Sequence, residues 1–288
     1  MPESYSYRAS LKSTLSDELV NTYAIRPLAG LVVRLIYRTP VTANQVTVAS
    51  TVAGLIAAAL YLGDASASVI AAGLMVTVKD VLDSADGQLA RAKQANSRRG
   101  RFLDSIGDVL VSAAVFCAIG WRLFERTHEI LFPVLAVVGF FGIVLRVSYH
   151  VFYQVSYLHL EGKYEKNRIV EEITPEDRRG DRVTLLLQQI FVAVYGWQDR
   201  LMLTIDEWCR GKAMDESFRQ RWYGDVLGLR ISGLLGYGTE LFLLMAFSVF
   251  NRLEWYLLFN VTMMNGVAAV GISYRRMVLR PRVVGVAG

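Results

Sequence analysis

The chain has 288 residues, of which 53% are hydrophobic and 20% charged, and its mean hydropathy of +0.33 is high for a domain that must stay in water. Apolar runs long enough, as helix, to cross a hydrocarbon layer of about 30 Å recur between charged stretches, which argues against several soluble domains and for one polytopic helical domain. The net charge of +5 does not point to nucleic acid, because the basic residues flank apolar segments and form no block interleaved with exposed aromatics. Cys117 lies in an apolar run and Cys209 in a polar one, so neither a disulfide framework nor a thiolate metal site is implied.

The N-terminus, with Arg8 and Lys12 among Ser, Tyr and Leu, lacks the apolar core of a signal peptide and is expected to stay in the cytosol. Residues 1–40 form the first unit. From Ser16 to Tyr37 the spacing of Leu15, Leu19, Leu28, Leu31, Val32, Leu35 and Ile36 predicts an amphipathic helix lying in the membrane interface, with Arg26, Arg34 and Arg38 off the apolar stripe. Pro27 predicts a bend near Arg26, as the first residue of a second short helix, and Arg38 to Pro40 ends the segment.

Residues 41–157 hold four predicted membrane spans. The first starts at Thr42, where Thr42-Ala43-Asn44-Gln45 has the form of a capping box, and runs to about Leu62. A turn over Gly63 to Ala67 leads to the second, from about Ser68 to Arg91, and a basic loop over Ala92 to Arg99 leads to the third, from Gly100 or Arg101 to about Phe124. The fourth covers Ile130 to Tyr157. Residues 158–226 form an insertion that opens with Glu161, Lys163, Glu165, Lys166 and Arg168. Within it Thr174-Pro175-Glu176-Asp177 predicts a helix start. The run from Val183 to Trp197 is interrupted by Gln188 and Gln189 and is short of about 20 residues, so it is expected to be interfacial or packed on the bundle. Residues 227–288 supply the fifth span, about Leu227 to Phe250, the sixth, about Trp255 to Tyr274, and a short tail. The fold class is therefore an all-α polytopic membrane protein with six transmembrane helices and an N-terminal interfacial helix. Lys and Arg gather on one side of such a bundle, and only Arg122, Arg126 and Arg252 fall on the other, which places both termini in the cytosol.

Asp83 and Asp86 lie three apart at the inner end of the second span; Asp104 and Asp108 lie four apart at the start of the third. Each pair projects from one helix face, and the short loop between the helices makes them antiparallel neighbours whose carboxylates converge. Four carboxylates in a low dielectric repel one another unless cations join them. All-oxygen ligation with no nearby His or Cys suits Mg²⁺, Mn²⁺ or Ca²⁺ over zinc, and two ions suit four carboxylates. Gly87, Ala90 and Gly100 leave backbone bare where a base and ribose could approach, and Arg91 can meet a phosphate.

Asp83-Ser-Ala-Asp86-Gly87-Gln-Leu-Ala90-Arg91, then eight residues, then Gly100-Arg-Phe-Leu-Asp104-Ser-Ile-Gly-Asp108 resembles the whole signature of the CDP-alcohol phosphotransferase family. Thr42-Ala43-Asn44-Gln45-Val46-Thr47 resembles the family's Pro-Asn-x-x-Thr stretch, with Ala43 where Pro is usual. The resemblance implies that Asp83, Asp86, Asp104 and Asp108 hold two divalent ions, Mg²⁺ or Mn²⁺, that Asp108 is the base on the acceptor hydroxyl, and that Gly87, Arg91, Ser97, Thr42, Asn44 and Gln45 line the CDP site. It also implies a homodimer in the membrane lipid that uses CDP-diacylglycerol, releases CMP and makes phospholipid, with its active site open to the cytosol.

Other readings remain open on the sequence. The enzyme could move a small polar head group from a CDP-linked donor to a lipid or sugar-phosphate acceptor. The aspartates could instead serve an ion or proton transporter, a metal-diphosphate prenyltransferase, or simple helix-end ion pairs, although none of these needs Gly87, Ala90, Arg91 and Gly100 at their spacings. Arg146, His150 and Arg230 are candidates for an acceptor site, against snorkelling to the interface. Glu240 and Asn265 are expected to bond helix to helix, Gly233, Gly236 and Gly238 to permit close packing, and Tyr195-Gly196-Trp197-Gln198-Asp199 to act as an aromatic anchor. The acceptor hydroxyl is not legible.

Overall fold

A computed structural model of the chain describes residues 6–7, 17–162, 171–211 and 215–279. The readings made for Arg8, Lys12, Leu15, Ser16, Lys163, Glu165, Lys166, Arg168, Arg280 and Arg282 lie outside the described residues. Among the described residues every regular element is helical. In chain order they are α1 (Arg26–Ile36), α2 (Ala43–Tyr61), α3 (Ser66–Ala92), α4 (Arg98–Thr127), α5 (Leu131–Leu160), α6 (Pro175–Arg179), α7 (Arg182–Arg210), α8 (Glu216–Tyr223), α9 (Val226–Gly233), α10 (Tyr237–Val249), α11 (Leu253–Phe259) and α12 (Asn265–Tyr274). Five stretches are long and apolar enough to cross a membrane: Ala43–Tyr61, Arg98–Thr127, Leu131–Leu160, Glu216–Val249 and Leu253–Leu279. The helix α3 is not among them. It is as long as its neighbours, but Lys79, Asp80, Asp83, Asp86 and Arg91 lie within it.

The helices α2, α3 and α4 form the centre, with α10 packed on α3 and α5 on α4. Ala57, Tyr61, Val69, Ala72, Val111, Val115 and Ile119 meet in their shared core. Outward-facing Leu74, Val78, Val134, Val137 and Phe141 are exposed, a pattern that suits a lipid environment. The capping box at Thr42 is present: the Thr42 hydroxyl accepts the Gln45 N–H at 3.3 Å and the Gln45 side chain accepts the Thr42 N–H at 2.9 Å.

Several boundaries differ from the sequence expectation, each for a local reason. The expected bend at Arg26 is absent. A π-turn over Asn21–Ile25 runs directly into α1 with helical dihedrals at Ile25 and Arg26, and this wider turn accommodates Pro27 near the first turn of α1. The stripe that α1 buries is Ala29, Gly30 and Val33, packed on Ala85 and Leu89 of α3, while Leu28, Leu31 and Leu35 face outward. Small residues allow the close approach, and the leucines are left for lipid. The helix α4 starts at Arg98 because Ser97 caps it, its hydroxyl accepting the Gly100 N–H at 3.0 Å. The sixth span begins at Leu253 and continues through a π-turn at Asn260–Met264 to Leu279.

The fifth span is not one helix. It breaks between Gly233 and Tyr237 into α9 and α10. The break opens the amide-bearing end of α10, and Glu18 from the N-terminal segment fills it, accepting the Thr239 N–H at 2.7 Å and the Thr239 hydroxyl at 3.0 Å. Gly236 lies against Glu18 and Gly238 against Asn21, so a side chain at either position would collide with the capping segment. Close packing is thus the use of these glycines.

The insertion is packed on the bundle. The 29-residue helix α7 runs along α4 and α5, and Asp206 anchors it by accepting from Tyr153, Trp222, Tyr223 and Arg210 at 2.8–3.0 Å. Gln188 is buried and donates to Glu171 and Asp177 at 3.0 Å, which explains the polar interruption seen in the sequence.

Arg146 of α5 is enclosed in polar contacts. Its guanidinium bonds Glu240 of α10, the Asn260 carbonyl at 3.1 Å and the Asn265 side-chain oxygen at 2.7 Å, while Asn260 donates to Glu240 at 2.8 Å. Glu240 and Asn265 therefore join helix to helix, as expected. Removing one partner leaves an uncompensated buried charge. Glu240→Ala should lower stability by about 3–5 kcal/mol, read as a large fall in the thermal midpoint of the detergent-solubilised protein.

Candidate active site

Asp83 and Asp86 project from the inner end of α3, Asp104 and Asp108 from the start of α4, and all four line one cavity of about 420 Å³. Asp83, Asp104 and Asp108 each offer a carboxylate oxygen within 4.8 Å of the other two. Asp86 is turned toward α2, where the Thr47 hydroxyl donates to it. One oxygen of Asp104 is buried with no hydrogen-bond partner. A buried carboxylate oxygen without a donor, beside two more carboxylates and with no His or Cys in the group, is a donor set that fits a hard divalent cation.

Lys79 sits one turn before Asp83 on α3, is 1% exposed, and forms ion pairs with Asp83 at 3.1 Å and with Asp108. Its ammonium lies 4.5 Å from the centre of the Tyr237 ring, and the Tyr237 hydroxyl bonds Ser112 at 3.1 Å and the Asp108 carbonyl at 3.3 Å. Sequence reasoning missed Lys79, although the signal was present: a lysine inside an apolar helix four residues before an aspartate needs a partner. Asp80 was missed as well. It lines the cavity and is 5% exposed.

The structure brings some of the expected nucleotide-site residues to the cavity and leaves others outside its lining. Gly87 and Arg91 line it. Asn44, Ser97 and Gly100 meet where α2 approaches the start of α4, and a side chain on Gly100 would press on the Asn44 amide oxygen at 2.8 Å. The bare backbone at Gly100 is thus taken up by Asn44. Thr42 and Gln45 engage each other in the cap. Ala90 lies outside the lining.

Of the expected acceptor residues, His150 lines the cavity and Arg146 and Arg230 do not. Arg146 is held by Glu240, Asn260 and Asn265, and Arg230 is exposed elsewhere on α9. The far wall comes instead from the insertion. Phe191, Tyr195 and Asp199 of α7 line it together with Glu171. Tyr195, expected as an interfacial anchor, points inward and donates to the Ser105 carbonyl at 2.8 Å, while Trp197 is exposed. Burial pushes the Asp199 carboxyl up to about 6, against the lowering influence of Arg101.

Comparison with known proteins bears on this geometry. The family model described as CDP-alcohol phosphatidyltransferase matches residues 40–206. A protein of Thermococcus kodakarensis, described as a bifunctional IPC transferase and DIPP synthase, is 30% identical over 132 residues, which is 46% of this chain and 29% of the relative. The chain thus spans under a third of that relative's length.

Lys79 holds Asp83 and Asp108 together by charge. Lys79→Met, which keeps the bulk and removes the charge, should lower turnover by about tenfold or more, with part restored in Lys79→Arg. Removal of the competing ammonium should also tighten Mn²⁺ binding at the carboxylates, measured by electron paramagnetic resonance of free Mn²⁺. A fold defect alone would loosen it.

Proposed function

Because the chain belongs to the CDP-alcohol phosphatidyltransferase family, a divalent-metal-dependent group that transfers a phosphoalcohol from a CDP-alcohol, we propose that it moves phosphatidyl from CDP-diacylglycerol to a hydroxyl acceptor in phospholipid synthesis. The observation that carries this reading is the convergence of Asp83, Asp104 and Asp108 at one cavity, with Asp86 beside them.

Asp83, Asp86, Asp104 and Asp108 would hold two ions, Mg²⁺ or Mn²⁺. When bound, these supply charge neutralisation for the donor diphosphate and the departing CMP. Gly87, Arg91, Ser97, Asn44 and Gly100, with Thr42, Gln45 and Ala90 behind them, form the cytidine side of the site, and Arg91 offers its fork of donors to a phosphate. Asp108 takes the proton of the acceptor hydroxyl, and the freed oxygen attacks the phosphorus that bears the diacylglycerol. A new P–O bond forms, the anhydride bond breaks, and CMP leaves. Lys79 positions Asp108 during this transfer.

The setting follows from the same reading. Residues 41–157 and 227–288 contribute six crossings, with α3 the one whose polar residues form the catalytic face. Residues 1–40 lie at the interface and 158–226 cover the cytosolic side. Both termini and the cavity mouth then face the cytosol, where CDP-linked donors are made, and two copies associate as a homodimer in the lipid. The Thermococcus relative is described by transfer activities on inositol-type products, and its partial coverage leaves the acceptor of this chain to be read from the chain's own cavity.

Purified protein with CDP-diacylglycerol, Mg²⁺ and a panel of hydroxyl acceptors should release CMP and form a phospholipid identifiable by mass spectrometry, and chelation of the metal should stop both. Asp108→Asn should abolish release while donor binding is largely retained; full turnover in that variant would remove Asp108 as the base.

A further inference from the structure

We propose that the acceptor carries a positive charge, an ammonium group held by Asp199 beside the rings of Phe191 and Tyr195, and that phosphate-bearing acceptors are refused. This rests on the phosphotransfer reading above and names its second substrate.

The acceptor wall is built by the insertion. Phe191, Tyr195 and Asp199 recur at four-residue spacing on one face of α7 and line the cavity together. The two rings stack with centroids 4.9 Å apart and planes 27° from parallel. The bond from Tyr195 to the Ser105 carbonyl sets them beside the turn of α4 that carries Asp104 and Asp108. A small cation resting there has an aromatic face and a carboxylate within one helical turn of each other.

The pattern of ion pairing selects the sign of the charge. Arg26 is paired with Asp17 at 2.7 Å, Arg101 with Glu171 at 2.6 Å, and Lys79 with Asp83 and Asp108. The remaining lining arginine, Arg91, lies on the donor side next to Gly87. By contrast, Asp199 has no hydrogen bond or ion pair among the described residues. Nor does Asp80, which is 95% enclosed, faces the same cavity and stands one turn from Asp83. A buried polar group without a partner is costly unless a ligand supplies one. A phosphate entering this half of the cavity would meet two uncompensated carboxylates and arginines already neutralised. An ammonium would find the complementary arrangement, and at neutral pH Asp199 is ionised to receive it.

The test uses the full chain in detergent with CDP-diacylglycerol and Mn²⁺, comparing ethanolamine, ethylene glycol of the same reach without the charge, and glycerol 3-phosphate. CMP release should show kcat/KM for ethanolamine at least about tenfold above either of the others. In Asp199→Asn the ethanolamine-to-glycol ratio should collapse toward one through KM, and Asp199→Glu should recover part of it. A merely structural role would lower both acceptors alike and leave the ratio in place. Preference for glycerol 3-phosphate, or an unchanged ratio in Asp199→Asn, overturns the charged-acceptor assignment while CMP release itself upholds the transfer reading. Release with CDP-ethanolamine and diacylglycerol in its place overturns the assignment of the ammonium to the acceptor. No CMP release with any hydroxyl compound overturns both.

Discussion

The structure depends on the juxtaposition of α3 and α4, which gathers four carboxylates and one ammonium inside a helical bundle of mostly apolar surface. Such a group is costly to bury unless each charge meets an opposite charge or a hydrogen-bond donor. The chain meets this demand unevenly. Asp86 receives the Thr47 hydroxyl, Asp83 and Asp108 share Lys79, and one oxygen of Asp104 is left without a donor. The unmet part of the demand faces the cavity, and this is what turns a cluster of acids into a site for a cation.

The same economy of charge shapes the surrounding fold. Lys79 needs Tyr237 above it, and Tyr237 is the first residue of α10, so the fifth span has to begin at that level. The break that precedes Tyr237 exposes backbone amides, and Glu18 reaches in from the N-terminal segment to satisfy them. Asp17, next in the chain, pairs with Arg26, and the Arg26 carbonyl accepts from Gln88 of α3 at 3.0 Å. The N-terminal segment is therefore coupled to the catalytic helix through a chain of polar contacts and is more than an adhesive strip on the lipid surface. On the opposite side of the bundle, Arg146, Glu240, Asn260 and Asn265 fix α5, α10 and the last span in register, away from the cavity.

What the sequence disclosed is what local spacing can carry. The pairs Asp83 with Asp86 and Asp104 with Asp108, the cap at Thr42 and the short connection between α3 and α4 are short-range patterns, and each predicted a neighbour in space. The break at Gly233 to Gly236 was not legible as a break, since glycine in an apolar run serves close packing equally well; only the long-range arrival of Glu18 decides. Arg146 was read as a possible ligand because a membrane arginine demands a partner, and the sequence alone did not say that Glu240, 94 residues away, would be that partner. The inward turn of Tyr195 has the same origin, because whether an aromatic faces lipid or a cavity depends on which helix packs against it.

The insertion is the element that gives the cavity its second wall, and its attachment shows why that wall is firm. Asp206 collects four donors from α5, α7 and α8, and the Arg275 guanidinium lies 3.4 Å over the Tyr153 ring while donating to the Trp222 carbonyl at 3.0 Å. Near the start of α7, Glu171 and Asp177 clamp Arg98 and Arg101 at 2.6 Å, so the insertion grips the first turn of α4, the helix that carries Asp104 and Asp108. A wall held at both ends cannot drift relative to the aspartates. Phe191, Tyr195 and Asp199 therefore keep a fixed distance from the reacting groups, and fixed distance is what allows a side chain far along the sequence to discriminate between acceptors that differ only in charge.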